Sequence, residues 1–493
     1  MKSVSSELNP KVNLSRRDLI LLAALVLFSL CIYMLACVLT FRPGFPLDDA
    51  WIHQTYARNL ARLGEWSFIP GQTSAGSTSP LWTVLLSVGF FSGLSPLVWA
   101  CTLGAVLLFG ISVQVEVIIR RTIRAYRPAL PWAGAMIALE WHMAWAAFSG
   151  METILYIYLV MLLMGLLLTG SRNYVFAGIL AGVAAWVRPD GITLLAPIGL
   201  AILLAEDAPV LRWNRFFRLA FGFAIFFFPY ILFNLMISGT PLPNTFYAKQ
   251  AEYANWQVTP WGQRSLYFSL QFFQGISLIL APGFILSLVY SIRRRSWINL
   301  FVTGWMTGYI YLYLSRLPVY QHGRYLMPAL GVFLLLGLCG FFEGFFNASA
   351  TLRKVLAVVV AFVLLATFGF GVYTYARDVA FIESQMVDTA TWVDANIPVT
   401  QKIAAHDIGA LGFFSRHQIV DLAGLITPEI IPFMNDDRSL IEYLNSSQVN
   451  YLVAFSDWKP VLSAHANPVF RAEIAPGLIG NAGNMTVFSW NLP

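Results

Sequence analysis

Charged residues are scarce in this chain: Asp, Glu, Lys and Arg together make up 11% of its 493 residues. Hydrophobic residues make up 58%, and the mean hydropathy is +0.66. A soluble chain of this length does not need so much apolar surface, whereas repeated apolar runs of about 20 residues match the hydrocarbon core of a bilayer. The composition therefore excludes an ordinary soluble protein and predicts a polytopic membrane protein.

Cysteine and histidine are also rare, and several catalytic motifs are missing. The four cysteines all lie inside apolar runs, which favours core thiols over a disulfide framework or a zinc site. The six histidines form no HExxH motif, and the chain contains neither GxxxxGK[ST] nor GxSxG. Zinc hydrolysis, nucleotide-driven transport and serine hydrolysis therefore have no support in the sequence.

Arginine clusters between the apolar runs predict the topology. The net charge of +6 comes largely from these clusters, as the positive-inside rule requires, and it does not indicate nucleic acid. The run from Leu19 to Phe41 follows Arg16 and Arg17 and is interpreted as a retained first span. Alternating sides gives about 11 transmembrane helices if the short run 81–94 does not cross alone. The chain is then a multi-pass protein of the plasma (inner) membrane with a cytoplasmic N-terminus.

The composition changes at residue 377. Short buried strands alternate there with helical segments such as 381–396 and 437–446, a pattern typical of an α/β domain. The predicted fold is thus an all-α polytopic membrane module over residues 1–376, including a first external loop at 42–80. A small extracytoplasmic α/β domain follows over residues 377–493.

The first external loop holds two adjacent carboxylates, Asp48 and Asp49, in the stretch "FRPGFPLDDAWIHQTYARNL". The apolar spacing after them predicts an amphipathic helix on the membrane surface, and acids in its first turn would cap its backbone N–H groups. Adjacent like charges raise each other's pKa, which suits acid–base chemistry better than capping. Both interpretations stay open on the residues alone.

Charged residues at the predicted outer ends of other spans are candidate binding residues. In "SGMET", Glu152 either forms a capping box with Ser149 or faces a site. In "VRPDG", Arg188 and Asp190 interrupt an apolar stretch, where ionisable groups are costly unless they are paired or functional.

Two further external segments carry basic residues. "GTPLPNTFYAKQ" contains Asn244, Tyr247 and Lys249, and an external lysine near tyrosines suits a lipid-borne phosphate, although it is also typical of a snorkelling interfacial lysine. "RLPVYQHGRYLMP" contains His322 and Arg324, and the arginine can bind a phosphate or the paired acids. In the C-terminal domain, Asp407 and Asp421 each follow a predicted strand and are expected to cap the next helix.

The order of these segments, continued by "DIGALGFFSRHQIVDLAGLITPE", resembles a group of GT-C glycosyltransferases. That group is related to the cell-wall terminal arabinofuranosyltransferases, and more distantly to protein O-mannosyltransferases and the lipid A aminoarabinose transferase. The resemblance runs from Phe45 to about Glu429. It implies a hexosyl- or pentosyltransferase that moves a sugar from a polyprenyl-phosphate donor to a hydroxyl of an envelope glycan, lipid or protein.

The resemblance assigns the catalytic base to the Asp48–Asp49 pair and predicts inversion at the anomeric carbon. A phosphate leaves readily when cations hold its charge, so basic residues and one base suffice. A divalent cation, Mg²⁺ or Ca²⁺, bound by Asp48 and Asp49 is a further expectation. The loop "QTSAGSTSP" departs from the arabinosyl relatives, so the sugar that those relatives transfer is not assigned to this chain. The alternatives are a transporter or flippase of a lipid-linked saccharide and a non-catalytic scaffold.

Overall fold

The computed structural model describes residues 13–205, 208–478 and 483–490. Helices dominate these residues. The helices of the first half are α1 Arg16–Thr40, α2 Asp48–Leu63, α3 Pro80–Phe91, α4 Pro96–Thr122, α5 Trp132–Ala138, α6 Trp141–Phe148, α7 Thr153–Leu168, α8 Tyr174–Val187, α9 Leu195–Leu203 and α10 Pro209–Ser238. Those of the second half are α11 Asn244–Glu252, α12 Trp261–Phe272, α13 Ile276–Arg293, α14 Trp297–Arg316, α15 Met327–Asn347, α16 Ala350–Ile382, α17 Asp388–Asn396, α18 Gly409–Phe414, α19 Asp437–Ser446 and α20 Pro460–Ala464.

The described chain also contains seven strands, short 3₁₀ segments and one π-helical turn. The strands are β1 Ser67–Ile69, β2 Gln72–Thr73, β3 Lys402–Ala405, β4 Gln418–Asp421, β5 Tyr451–Phe455, β6 Ala466–Arg471 and β7 Met485–Trp490. Short 3₁₀ segments lie at Pro189–Leu194, Ala254–Val258, Gln321–Leu326 and Pro428–Phe433, and a π-helical turn at Glu383–Val387 joins α16 to α17.

The membrane module is built from long apolar helices, so the prediction of a polytopic membrane protein is confirmed. Among the described residues, six helical stretches are long and apolar enough to cross a bilayer: Arg16–Thr40, Pro96–Thr122, Pro209–Ser238, Ile276–Arg293, Gln321–Asn347 and Ala350–Asn396. Four shorter apolar stretches accompany them: Pro80–Phe91, Thr153–Leu168, Tyr174–Val187 and Pro189–Leu203. The number of spans and their sidedness stay predictions.

Glycines let the helices of this module pack closely. A Cβ atom on Gly340 of α15 would overlap the carbonyl oxygen of Gly283 in α13, and one on Gly222 of α10 would overlap that of Val175 in α8. Small residues permit such backbone approach where the lipid offers no hydrophobic drive for helix association. Helix pairs α13–α15 and α8–α10 therefore depend on these glycines for their contact.

The C-terminal part contains a five-stranded sheet in the order β4-β3-β5-β7-β6, so the predicted α/β architecture is confirmed. Strands β4, β3 and β5 are parallel, β7 pairs antiparallel with β5, and β6 pairs antiparallel with β7. The predicted helix at 437–446 is α19, and that at 381–396 belongs to the long stretch Ala350–Asn396. Helix α16 continues through position 377, and the division of the chain there stays a prediction.

Helix α2 confirms the amphipathic helix predicted from Asp48 onwards, and one side of it packs against the C-terminal part. Trp51 packs against the rings of Phe413 and Phe414 at centroid distances of 4.8 and 4.7 Å. Arg58 donates a 2.6 Å hydrogen bond to the Phe413 carbonyl oxygen. Helix α18 of the C-terminal part thus covers the side of α2 that carries Trp51 and Arg58, where the prediction had placed α2 on the membrane surface.

Candidate functional site

The first turn of α2 sends its two carboxylates to different places. Asp48 is buried, and its Oδ2 and Oδ1 accept hydrogen bonds of 2.6 and 2.8 Å from the backbone N–H groups of Gly409 and Ala410. These groups begin α18, so Asp48 caps a helix distant in sequence, whereas α2 itself has no side-chain cap. Asp48 therefore fixes the C-terminal part to the membrane module.

Asp49 instead faces a cavity and pairs with Arg324. The Asp49 Oδ2 accepts a hydrogen bond from Arg324 Nη2, and 34% of the Asp49 side chain remains exposed. Burial raises the pKa of Asp49, but the nearby Arg324 and Lys249 outweigh this effect and hold the pKa well below its ordinary value. The Asp49 side chain is therefore a carboxylate at neutral pH.

The cavity in front of Asp49, here called the central cavity, has a volume of about 430 Å³. Its wall combines α2, α11, the C-terminal end of α14 and the 3₁₀ segments Pro189–Leu194 and Gln321–Leu326. Most of the wall is apolar, and its charged groups from the described residues are Asp49, Glu152, Arg188, Asp190, Lys249, Arg316 and Arg324. Four cations and three carboxylates thus meet in one largely apolar space.

Lys249 reaches the same cavity from α11. Its Nζ donates a 2.6 Å hydrogen bond to the hydroxyl of Tyr325, which also accepts a 2.9 Å bond from Arg324 Nη2. Burial lowers the pKa of Lys249, but Tyr325 and Asp49 together raise it above its ordinary value. The ammonium group is therefore charged beside the Asp49–Arg324 pair, as the expectation of a lysine near tyrosines requires.

Arg324 has buried donors without partners. Only 4% of its side chain is exposed, and neither Nε nor Nη1 has a hydrogen-bond partner among the described residues. A buried guanidinium N–H left unpaired costs about 1–3 kcal/mol or more. Arg324 lines the central cavity, so a buried cation with unsatisfied donors stands at its wall.

Glu152 does not form the capping box with Ser149, because its side chain turns toward other charges. Its Oε1 lies 3.4 Å from Arg188 Nη1, and its Oε2 lies 3.5 Å from His53 Nε2. The other His53 ring nitrogen, Nδ1, lies 3.1 Å from the Ser77 hydroxyl. Glu152 thus connects α2, the loop after β2 and Arg188 at the cavity wall.

Arg188 and Asp190 pair with each other and also bind two tyrosines. Arg188 Nε lies 3.3 Å from Asp190 Oδ1, and Arg188 Nη2 donates a 2.7 Å bond to Tyr313. Tyr309 and Tyr313 donate bonds of 2.5 and 2.9 Å to Asp190 Oδ2. The ion pair of "VRPDG" is therefore present, and both of its residues line the cavity. Their role in binding stays a prediction.

Three of the candidate binding residues lie elsewhere. Asn244 is buried and donates a 3.4 Å bond to the Leu425 carbonyl oxygen, and Tyr247 packs edge-on against Phe246. His322 Nε2 lies 2.8 Å from Asp378 Oδ2. None of the three is among the residues that line the central cavity. Their binding roles stay predictions, and their contacts are those of residues that position α11 and the Gln321–Leu326 segment.

The site also contains residues that the sequence did not single out: His53, Tyr309, Tyr313 and Tyr325. His53 lies one helical turn after Asp49, so helical spacing was the available signal. Tyr309 and Tyr313 are likewise four residues apart on α14 and both bind Asp190. Nothing in the sequence linked that pair to residue 190.

The residues do not fit a divalent cation held by the Asp48–Asp49 pair. Both oxygens of Asp48 bind backbone N–H groups, while Asp49 binds Arg324, so the two carboxylates do not converge. The described residues contain no cluster of three or more His, Cys, Asp or Glu side chains able to hold a metal. A divalent cation elsewhere in the site stays a prediction, and sugar transfer with and without EDTA tests it.

Solved structures of three membrane transferases share this architecture. ArnT from Cupriavidus metallidurans bound to undecaprenyl phosphate matches over 95% of this chain and 98% of its own, with a TM-score of 0.61 and 15% identity. The archaeal oligosaccharyltransferase AglB from Archaeoglobus fulgidus, in complex with an inhibitory peptide and a dolichol-phosphate, matches over 96% and 77%, with a TM-score of 0.56 and 12% identity. Arabinofuranosyltransferase AftD from mycobacteria matches over 97% of this chain and 42% of its own, with a TM-score of 0.53 and 15% identity.

These likenesses confirm the predicted GT-C resemblance at the level of the fold. Residues 377–488 match the family described as "Domain of unknown function (DUF8728)", which covers most of the C-terminal part. No curated protein sequence matches the chain. The chain therefore has a GT-C fold, and its chemistry has to be argued from the residues of the cavity.

Proposed function

We propose that this chain is an integral-membrane glycosyltransferase that moves a hexosyl or pentosyl group from a polyprenyl-phosphate donor to an acceptor hydroxyl. The observation that supports this most is the meeting of Asp49 with Lys249 and Arg324 in one cavity. A carboxylate beside two cations offers a proton acceptor and a phosphate clamp within the same space.

The lipid phosphate is assigned to the basic side of the central cavity. Arg324 supplies N–H groups that have no partner in the described protein, and Lys249 supplies a charged ammonium. Charge-assisted hydrogen bonds to phosphate oxygens are short and strong, and they gain further strength in a largely apolar wall. ArnT and AglB were solved with undecaprenyl phosphate and dolichol-phosphate, which supports a donor of this class.

Asp49 is the proposed base. In this reaction the acceptor oxygen bonds to the anomeric carbon, the bond from that carbon to the phosphate oxygen breaks, and the hydroxyl proton passes to Asp49. A single displacement of this kind inverts the anomeric configuration. The phosphate competes with Asp49 for Arg324, and a carboxylate released from its ion pair is a stronger base.

Glu152, Arg188 and Asp190 are proposed to position the donor and its clamp. Their ion pairs and the two tyrosine hydroxyls hold Arg188 in one orientation on the cavity wall. Because Asp48 is engaged by α18, the proposal rests on one carboxylate of the original pair. A transporter is not favoured, since the structurally similar proteins are transferases.

The proposal is tested by mass spectrometry of envelope glycans from cells with and without this protein. We expect one sugar residue to be missing in the deletion strain, with a mass that distinguishes a hexose from a pentose. The wild-type chain should restore this residue and Asp49→Asn should not. Unchanged glycans in the deletion strain would contradict the proposal.

A further inference from the structure

A second cavity, here called the side cavity, lies next to the central one and has a volume of about 500 Å³. Unlike the central cavity, it is lined by more polar than apolar surface. Its aromatic residues are Tyr253, Trp256, Tyr320 and Trp458. Its polar and charged residues include Glu252, Asn255, His406, Asn435 and Lys459.

The side cavity opens at the carboxyl ends of the three parallel strands. His406 follows β3, Leu422 follows β4, and Trp458 lies three residues after β5, and all three line it. Strand β3 lies between β4 and β5, so the chain passes from β3 to β4 on one side and then crosses to β5 on the other side. In open α/β sheets, ligands bind outside the carboxyl ends of the strands at such a reversal point.

The two cavities are adjacent, because three chain segments contribute lining residues to both. Helix α11 gives Lys249 to the central cavity and Glu252 to the side cavity. The neighbouring residues Leu317 and Pro318 line the central cavity and the side cavity, respectively. The loop after β4 likewise gives Leu425 to the central cavity, and Leu422 to the side cavity. A ligand in the side cavity therefore lies next to the central cavity, which Asp49 lines.

We infer that the side cavity binds a saccharide, namely the glycan acceptor of the proposed reaction. Sugar rings present flat C–H faces that pack on aromatic rings, and their hydroxyl groups bond to carboxylate, amide and ammonium groups. His406 and Trp458 form such a surface, with ring centroids 4.4 Å apart, and Tyr320 adds a ring that is 57% exposed.

The charged groups of the side cavity are already held in place, which favours a preformed site. Lys459 Nζ bonds to Asp437 Oδ1 at 2.7 Å, and its ammonium lies 5.6 Å from the Trp458 ring centroid. His406 lies 3.5 Å from both Glu252 and Asp407. Preorganised polar groups lose less entropy when a ligand binds. A peptide is less suited to this cavity, because none of the described strands contributes a residue to its lining or offers it an edge.

The role of the bound saccharide as an acceptor rests on the proposed function, but its binding can be measured without sugar transfer. The full-length protein in lipid nanodiscs is titrated with three probes, maltotetraose, α-1,6-mannotetraose and α-1,5-arabinotetraose, and binding is measured by saturation-transfer difference NMR. We expect at least one probe to bind the wild type. Trp458→Ala and Tyr320→Ala should each weaken that binding about tenfold.

Controls separate the site from folding and from catalysis. Trp458→Phe keeps an aromatic face and should retain most of the affinity, and Trp213→Ala, an exposed tryptophan of α10, should change nothing. Asp49→Asn should bind the probe as the wild type does. The inference is overturned if no probe binds, or if the probe binds Trp458→Ala and Tyr320→Ala as well as it binds the wild type.

Failure of the proposed function gives a different result. Saccharide binding that depends on Trp458 while no sugar is transferred to any acceptor would leave the site standing and remove the transferase. Sugar transfer whose acceptor KM is unaffected by Trp458→Ala and Tyr320→Ala would leave the transferase and remove the acceptor site.

Discussion

The carboxylates of Asp48 and Asp49 leave helix α2 in different directions, although the two residues are adjacent in the chain. Successive residues on an α-helix point about 100° apart. Asp48 accordingly binds the N-terminus of α18, while Asp49 binds Arg324 at the central cavity. One acidic pair thus joins the C-terminal part to the membrane module and also supplies a carboxylate to the candidate site.

Asp49→Asn removes the proposed base and keeps the shape of the side chain. Because general-base catalysis contributes about 10²–10⁴-fold, we expect the rate of sugar transfer to fall by about that factor. The Asn side chain still offers an oxygen to Arg324, so the protein should still fold, but the thermal midpoint should fall because the buried guanidinium loses its counterion. Asp394→Asn, which alters a surface pair with Arg416, is the matched control. Transfer at the wild-type rate by Asp49→Asn would remove Asp49 as the base.

Asp48→Ala leaves the backbone N–H groups of Gly409 and Ala410 buried without an acceptor. Such groups cost about 1–3 kcal/mol each, so we expect a clear drop in the thermal midpoint, measured by unfolding in nanodiscs. Sugar transfer should persist at temperatures below that midpoint. Loss of transfer with an unchanged midpoint would instead assign the chemistry to Asp48.

The stabilisation by Asp48 should depend on pH. Burial and the nearby Asp407 raise the pKa of Asp48 from 3.8 to about 7, against the lowering effect of its two backbone hydrogen bonds. The folded protein therefore holds this proton more tightly than the unfolded chain does. The contribution is fully present below about pH 4 and is lost as the pH rises through about 7.

The measurement compares thermal midpoints of the wild type and Asp48→Ala between about pH 5 and pH 8.5, on either side of the folded-state pKa. The advantage of the wild type should shrink across this range. An advantage that stays constant with pH would show that Asp48 does not titrate in this window.

Lys249→Gln removes one of the two cations beside Asp49. We expect the KM for the polyprenyl-phosphate donor to rise about tenfold or more, with a smaller effect on the KM for the acceptor, since an ammonium–phosphate contact is a charge-assisted bond. Lys354→Gln, an exposed lysine of α16, is the matched control. An unchanged donor KM would argue against Lys249 as a phosphate ligand.

Gly409→Ala tests the contact between α18 and α2. A Cβ atom at this position would overlap the carbonyl oxygen of Asp48, so the backbones have to separate. We expect destabilisation of about 1–3 kcal/mol. Gly369→Ala in α16 meets open space and should be neutral or stabilise by about 0.5–1 kcal/mol. Equal midpoints for the two variants would show that the contact is looser than described.

The sequence by itself determined the features that depend on local periodicity and composition. The apolar runs predicted the membrane helices, the spacing after Asp48 predicted α2, and the alternation after residue 377 predicted the sheet. It also indicated Asp49, Lys249 and Arg324, because charges are costly beside a bilayer and so stand out in an apolar chain.

Only the tertiary structure decided which of these charges meet. Of the two interpretations left open for Glu152, the structure shows pairing with Arg188 instead of a capping box with Ser149. Asp48 caps a helix, but that helix is α18, more than 350 residues further along the chain, and not α2. Local patterns fix the helices, but a side chain's partner depends on which helices pack together. Which helices pack together cannot be predicted from a short segment of the sequence, because the partners lie far apart in the chain.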